Sequence, residues 1–148
     1  MIPLLEELDL PFGSIKDVSP LSQCKGLKKI NIRGNKGIEV LSPLCQCPDL
    51  KKLNICGLIL IKDLCFFERG FTKLRVLDIS CLPVDDLSPL ARLQNLEELD
   101  CRRIPVTTSL LPLARCYKLK AIHCLDGAMD LEKVKEKRPD LIIIIIIR

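Results

Sequence analysis

The chain has 148 residues, of which 48% are hydrophobic and only 3% aromatic, with no tryptophan. This length suits one domain, and the apolar content suffices for a continuous core of aliphatic side chains. The 23 basic and 19 acidic residues leave a formal charge of +4, which is too small by itself to indicate a nucleic-acid-binding protein.

The amino-terminal segment shows no sign of a secretory signal. Met1–Leu5 has no basic start and is followed at once by Glu6 and Glu7. The longest apolar run, Leu141–Ile147, is too short to span a bilayer. The nine cysteines, an odd number, cannot all pair within one chain. Together these features predict a cytoplasmic or nuclear protein whose thiols are reduced.

An apolar block, Leu-x-x-Leu-x-Leu with Ile, Val or Cys as substitutes, recurs along the chain. At intervals of 22 to 24 residues, the blocks begin at Leu5, Leu27, Leu50, Leu74, Leu96, Leu119 and, in degraded form, Leu141. This period with this signature is typical of leucine-rich repeats. The predicted fold is therefore α/β, a leucine-rich-repeat solenoid of six to seven repeats. A parallel β-sheet should form the concave face, and short helices or 3₁₀ turns the convex face.

The second repeat shows how each unit should fold. Leu27–Ile32 ends in the apolar–polar alternation of a half-buried strand, and Gly34 lies in the turn after it. A Ser-Pro-Leu unit then opens the return segment, where Ser suits a helix N-cap and Pro the first helical position. These units are Ser19–Leu21, Ser42–Leu44, Ser88–Leu90 and, without the Ser, Leu111–Leu113. In the third repeat Asp63–Arg69 takes its place and predicts a slightly longer helix capped by Asp63.

Stacking the repeats arranges their apolar residues in columns, because one repeat cannot bury its own apolar edge. The three strand columns are Leu5, Leu27, Leu50, Leu74, Leu96, Leu119; Leu8, Ile30, Leu53, Leu77, Leu99, Ile122; and Leu10, Ile32, Ile55, Ile79, Cys101, Cys124. Cys24, Cys47 and Cys116 share another column with Phe71 and Leu93. Free cysteine is therefore expected to act there as a small core hydrophobe, and no metal site is expected.

The outward strand positions carry polar residues. His123, the only histidine, shares its position with Asp9, Asn31, Asn54, Asp78 and Asp100. An acid/base pair and a solvated row are both consistent with this pattern, and the solvated row is favoured. No catalytic motif or phosphate-binding loop occurs, so we expect no enzymatic activity and no cofactor.

The concave face is the predicted binding surface, because charges of both signs gather there in bands. The predicted partner is a protein, since exposed aromatic residues for stacking nucleic-acid bases are missing. The candidate binding residues are Lys28, Lys29, Asn31, Arg33, Lys51, Lys52, Asn54, Arg75, Asp78, Glu98, Asp100 and Arg102. An ordinary solvated surface is the alternative reading of these charges.

Residues 1–148 should form a single domain that belongs to a longer repeat array, and residues 130–148 should supply a last helix and strand. Met129–Arg138 reads as an amphipathic helix, capped by Asp130 and stopped by Pro139. The isoleucine-rich segment that follows, up to Arg148, should be a strand. That strand either pairs with the sixth repeat, self-associates with another copy, or ends the chain irregularly.

Two segments carry a closer resemblance. Ile15–Leu21 and Asp85–Leu90 resemble the Ile-x-Asp-Val-Ser-Pro-Leu phrase of trypanosome leucine-rich-repeat proteins described as adenylate cyclase regulators. The repeats are also similar to those of bacterial internalins. The first resemblance implies an intracellular or nuclear signalling protein, sometimes joined to a RING domain, and the second implies a secreted cell-surface binding module. No RING cysteine and histidine pattern occurs here, so ubiquitin-ligase chemistry is not implied. The predicted function is a protein–protein interaction scaffold, with a regulatory domain of a signalling enzyme or a cell-surface module as alternatives.

Overall fold

Seven short parallel strands, one per repeat, form a single sheet in chain order in the computed structural model. The model describes residues 4–147, so the expectations about Met1–Pro3 and Arg148 lie outside the described residues. The strands are β1 (Glu7–Asp9), β2 (Lys29–Asn31), β3 (Lys52–Asn54), β4 (Val76–Asp78), β5 (Glu98–Asp100), β6 (Ala121–Leu125) and β7 (Ile142–Ile146).

The return segments hold short helices on the other side of the core. These are the 3₁₀ helices Ser19–Gln23, Ser42–Gln46, Cys65–Glu68, Ser88–Arg92 and Leu111–Arg115, and the helix α1 (Leu131–Lys137). A parallel strand and a short return helix in every repeat is the predicted architecture, and it is confirmed. Within residues 4–147, no helix is both long enough and apolar enough to cross a membrane.

The strands pair at equivalent repeat positions, which confirms the predicted columns. Leu8 lies opposite Ile30, Ile30 opposite Leu53, and Leu53 opposite Leu77. From the second repeat onward the column residues are buried, and each such Leu or Ile contributes about 1.5–3 kcal/mol of hydrophobic free energy. In the first repeat Leu10 keeps 48% of its surface exposed, because among the described residues it has a neighbouring repeat on one side only.

The return helices begin as predicted at the Ser-Pro units, but the predicted Ser caps are wrong. Ser19 and Ser88 are the first helical residues, and no side chain bonds from the N-cap position before them. Asp17 and Asp86 supply the acceptors instead, and each carboxylate accepts the backbone N–H of the Ser two residues later at 2.8 Å. The hydrogen bonds to the two Ser residues also hold the pKa of both carboxyl groups below the ordinary value.

The helix of the third repeat is shorter than predicted. It spans only Cys65–Glu68, four residues against five in the neighbouring repeats. The carboxylate of Asp63 does accept the backbone N–H of Cys65, at 3.0 Å. The rings of Phe66, Phe67 and Phe71 pack together in this repeat at centroid distances of 4.3 to 6.1 Å.

The carboxy-terminal repeat confirms the pairing of the isoleucine strand and corrects the predicted cap. β7 pairs with β6 over five residues, and α1 ends before Pro139. Asp130 precedes α1, but its carboxylate binds the Ser109 hydroxyl and the Lys133 ammonium, each at 2.6 Å, and no helix amide. The capping prediction for Asp130 is therefore wrong.

Arg138 joins the last repeat to the repeat before it, a role that the sequence analysis did not assign. Its side chain is buried and donates to the carbonyl oxygens of Cys116 and Leu119 at 2.8 and 2.9 Å. The remaining N–H groups bind the carboxylate of Asp140. One guanidinium thus binds two backbone carbonyl groups in the core, of which that of Cys116 also accepts the N–H of Leu119.

The turn after each strand passes through one residue with a left-handed backbone. At the eighth position of the first five repeats the φ angles are 55° at Phe12, 72° at Gly34, 71° at Gly57, 60° at Cys81 and 59° at Arg103. Glycine adopts this conformation without steric cost, whereas the three other residue types carry strain. The geometry of the repeat imposes the conformation, since it persists where the residue is unsuited to it.

Candidate protein-binding site

The outward strand residues form two parallel rows, which together we call the strand face. The third-position row is Glu7, Lys29, Lys52, Val76, Glu98, Ala121 and Ile142, and the fifth-position row is Asp9, Asn31, Asn54, Asp78, Asp100, His123 and Ile144. Over β1–β5 the rows line a groove of about 430 Å³, so this face is concave. The shared position predicted for His123 is confirmed.

The fifth-position row has a structural role that the sequence analysis missed. Asn31, Asn54, Asp78 and Asp100 each accept, through the side-chain Oδ1 atom, the backbone N–H of the residue two positions later, at distances of 2.9 to 3.3 Å. Each side chain therefore closes the turn after its strand, as Asn and Asp commonly do at such turns. The signal was present in the sequence, because every one of these residues directly precedes the turn.

The first repeat departs from this rule for a chemical reason. Two residues after Asp9 comes Pro11, which has no backbone N–H to donate. The Asp9 carboxylate accepts instead from the side-chain amide of Asn31, at 2.7 Å. A hydrogen bond between side chains thus joins the β1 and β2 members of this row.

Part of the predicted basic band is neutralised by the first repeat. The ammonium groups of Lys28 and Lys29 bind the carboxylates of Glu6 and Glu7 at 2.8 and 2.7 Å. The bond to Lys29 lowers the pKa of Glu7, and the bond to Glu6 raises the pKa of Lys28. These two lysines have less unpaired charge to offer a partner than the sequence suggested.

The unpaired positive charge lies further along. Within residues 4–147, Lys51, Lys52 and Arg75 make no ion pair. Lys52 lines the groove, while Lys51 and Arg75 lie at the amino ends of β3 and β4. These three residues are the cationic part of the face that is available to another molecule.

The next two strands carry the opposite charge. Asp78, Glu98 and Asp100 line the groove together. The carboxylate of Asp100 is held by the Arg102 side chain, with Nε donating at 2.9 Å, and Glu98 lies 3.1 Å from the Nε2 atom of His123. The strand face therefore changes sign between β3 and β5.

The structure separates the predicted binding residues into two groups. Those that share the groove are Lys29, Asn31, Lys52, Asn54, Asp78, Glu98 and Asp100. Lys28, Lys51 and Arg75 precede their strands, and Arg33 and Arg102 follow theirs. Arg33 lies over the ring of Phe12, with the guanidinium carbon 4.9 Å from the ring centroid, and so belongs to the turn edge. The binding role of all twelve residues stays a prediction.

Four of the nine cysteines lie in the core, and Cys65 is exposed. Cys47, Cys101, Cys116 and Cys124 are buried as predicted, and Cys24 is half-buried. Burial raises the pKa of Cys116 to about 11 and also raises that of Cys101, so both stay protonated at neutral pH. Among residues 4–147, no three His, Cys, Asp or Glu side chains are grouped as metal ligands.

Comparison with solved structures agrees with this geometry. Internalin C2 of Listeria monocytogenes superposes with a TM-score of 0.82 at 24% identity, over 97% of this chain and 64% of that one. The fold is a leucine-rich-repeat solenoid. An internalin, inlF, of the same bacterium gives a TM-score of 0.69 at 23% identity, over 97% of this chain and 49% of that one. This chain thus spans less than two thirds of either internalin.

More distant solenoids share the same architecture. A leucine-rich-repeat protein of Leptospira interrogans has a TM-score of 0.69 at 18% identity, covering 94% of this chain and 36% of that protein. The plant peptide hormone receptor RGFR1 in complex with RGF2 has a TM-score of 0.59 at 14% identity, covering 90% of this chain and 23% of the receptor. The sequence matches no protein-family profile and no curated relative. The resemblance to trypanosome repeats stays a prediction.

Proposed function

We propose that the chain is a non-catalytic protein-binding scaffold that holds its partner in the groove of the strand face. The observation that carries this proposal is the change of sign along that groove, from the unpaired ammonium of Lys52 on β3 to the carboxylates of Asp78 on β4 and Glu98 on β5. The plant peptide hormone receptor, which shares this fold, was solved in complex with RGF2, and this supports a binding role.

The spacing of the strands defines the chemistry of the partner. Lys52 and Glu98 occupy the same row two strands apart, which corresponds to about 10 Å at roughly 4.8 Å per strand. An extended peptide crossing the strands advances about 3.3 Å per residue, so about three residues separate complementary charges. The expected partner segment thus carries an acidic residue over β3 and a basic residue about three positions away over β5.

Charge reversal tests this proposal with a matched control. The face variant replaces Lys51 and Lys52 together by Glu, and the control replaces the exposed residues Lys36 and Lys62 by Glu, which changes the net charge equally. We expect the face variant to lose at least about tenfold in affinity for proteins retained by the parent chain, because attraction becomes repulsion. Quantitative affinity capture with mass spectrometry, at low and at high salt, provides the measurement.

Two outcomes would contradict the proposal. One is retention of the same proteins, in the same amounts, by the parent chain and the face variant. The other is an equal loss in the control variant, which would trace binding to net charge rather than to the groove. The location predicted from the sequence, cytoplasm or nucleus, plays no part in this test and stays a prediction.

A further inference from the structure

A second and larger groove runs along the edge of the sheet where the strands end, and we call it the turn-edge groove. Its volume is about 1030 Å³, and it extends from the third repeat to β7. The side chains that matter most for its chemistry are Ile59, Cys81, Arg102, Arg103, Val106 and Ile147. None of the residues predicted from the sequence to bind a partner lies here, except Arg102.

The lining is apolar with a cationic element. Ile59, Val106 and Ile147 expose 49%, 42% and 83% of their surfaces, which is unusual for such residues when no molecule covers them. Of the described residues that line the groove, none is a carboxylate, whereas two are arginines. The groove thus combines apolar walls with positive charge only.

The two arginines differ in availability. Arg102 is engaged by Asp100 through Nε and Nη2, so its charge is largely compensated. Arg103 is exposed and makes no ion pair with any residue among 4–147. The guanidinium of Arg103 is therefore the group that can bind an incoming anion with two parallel hydrogen bonds.

Arg103 occupies the left-handed position of the turn. Its φ is 59° and that of Cys81 is 60°, whereas the second and third repeats use Gly34 and Gly57. An added Cβ at Gly57 would meet no atom within 4 Å, so the space above that turn is open. Phe12 adopts the same conformation outside this groove, so the strain follows from the repeat geometry.

We propose that the turn-edge groove is a second docking site, which takes an apolar peptide segment of a protein partner and binds a carboxylate of that segment through Arg103. The apolar side chains of the segment cover Ile59, Val106 and Ile147. The argument is charge complementarity on an apolar surface, because a groove with an unpaired arginine and no carboxylate selects an acidic ligand over a neutral or basic one. The site is independent of the strand face.

Titration of the isotope-labelled full chain with a synthetic peptide tests the proposal. The probe is the amidated peptide Leu-Ile-Glu-Leu-Val, compared with analogues that carry Gln or Lys in place of Glu. We expect the Glu peptide to shift the NMR signals of the amides of Cys81, Arg103 and Val106, and to bind about tenfold more tightly than the Gln peptide. The Lys peptide should bind more weakly still.

Arg103 variants then connect the binding to the proposed group. Arg103→Gly should abolish the preference for Glu over Gln while the chain stays folded, because glycine suits the left-handed turn. Arg103→Lys should keep part of the preference. The variant with Lys51 and Lys52 replaced by Glu should bind the probe as the parent does, which separates this site from the strand face.

Three results would overturn the proposal: no shifts at these amides, equal binding of the Glu and Lys peptides, or an unchanged preference in Arg103→Gly. Shifts of the same amides that depend on protein concentration without any peptide would assign the groove to a second copy of this chain, and would overturn it as well.

Discussion

Substitution of Gly57 measures the cost of the left-handed turn without any packing effect. Gly57 has φ 71°, and a Cβ added there meets no atom within 4 Å. In Gly57→Ala the whole change in the free energy of unfolding therefore comes from the backbone. A non-glycine residue in this conformation costs about 1–2 kcal/mol. Alanine has less conformational freedom than glycine in the unfolded chain, which stabilises the folded state by about 0.4–1 kcal/mol. The free energy of unfolding should therefore fall by about 1 kcal/mol in total.

Gly34 provides the matched comparison, because it has nearly the same backbone and a different environment. Its φ is 72°, but an added Cβ would lie only 2.5 Å from Cδ1 of the Phe12 ring. The ring has to move away, which also disturbs its contact with Arg33. Since the ring is 72% exposed and can move, the added cost lies at the low end of that for overpacking, and Gly34→Ala should lose about 2 kcal/mol in total.

Urea unfolding followed by circular dichroism distinguishes these values, with the m-value as a check that the cooperative unit is unchanged. Arg103→Gly belongs in the same series and should gain about 0.5–1 kcal/mol, because it relieves strain of the same kind. A neutral Gly57→Ala would refute the reasoning, since it would mean that the turn imposes no left-handed backbone. Equal losses at Gly57 and Gly34 would show that Phe12 does not pack as described.

Four further predictions test other parts of the solenoid. Asn35→Ala should lose about 2–4 kcal/mol in urea unfolding, because the fully buried amide makes three hydrogen bonds to backbone groups. Leu77→Asp should abolish the cooperative thermal transition, since a charge would enter a core position that is 1% exposed. Folding lowers the pKa of Asp86, so this carboxylate stabilises the fold above its unfolded pKa of about 3.9, and the stabilisation is lost as pH falls through the folded pKa. Asp86→Asn should therefore flatten the acid side of a plot of Tm against pH. Ile144→Lys on β7, which among the described residues pairs with β6 alone, should remove a concentration dependence of mass in light scattering, and a dependence that persists would locate self-association elsewhere.

The repeat architecture could be predicted because the same apolar block recurs in every repeat. A period of 22 to 24 residues fixes which Leu and Ile residues lie opposite one another, and the register from Leu8 to Ile122 follows directly. The last strand is displaced by one residue from the predicted block, because Ile143 and not Ile144 lies opposite Ile122. The burial of Cys47 and Cys116 could be predicted because the apolar residues Phe71 and Leu93 share their column. Stacking repeats the same environment, so one correct unit determines the others.

Local hydrogen bonds were predicted less well, because several side chains compete for each backbone group. The Ser of Ser-Pro-Leu is an equally plausible cap by type, but the carboxylate of Asp17 accepts the N–H of Ser19 itself, and Ser19 becomes the first helical residue. Asp130 binds the side chains of Ser109 and Lys133 and no backbone amide of the helix that follows it. Contacts between repeats, such as Arg138 with the carbonyl of Cys116, have no local sequence signal at all.

The outward strand positions could be predicted from the sequence, but the pairing of charges on them could not. The outward positions could be read from the strand alternation, whereas the pairing of Lys29 with Glu7 depends on the register of β1 against β2. The turn-edge groove escaped prediction, because it is assembled from the turns of several repeats. Its lining residues, such as Ile59 and Val106, look like ordinary loop residues when each repeat is read alone.

The double role of the fifth-position row limits how this surface can change over evolution. Asn31, Asn54, Asp78 and Asp100 hold their turns through the same Oδ1 atom, which amide and acid side chains share. Exchange between Asn and Asp therefore preserves the turn while it changes the charge by one unit at a time. The charge of the groove can thus change at these four positions while the backbone stays the same, whereas an apolar residue would lose the turn bond.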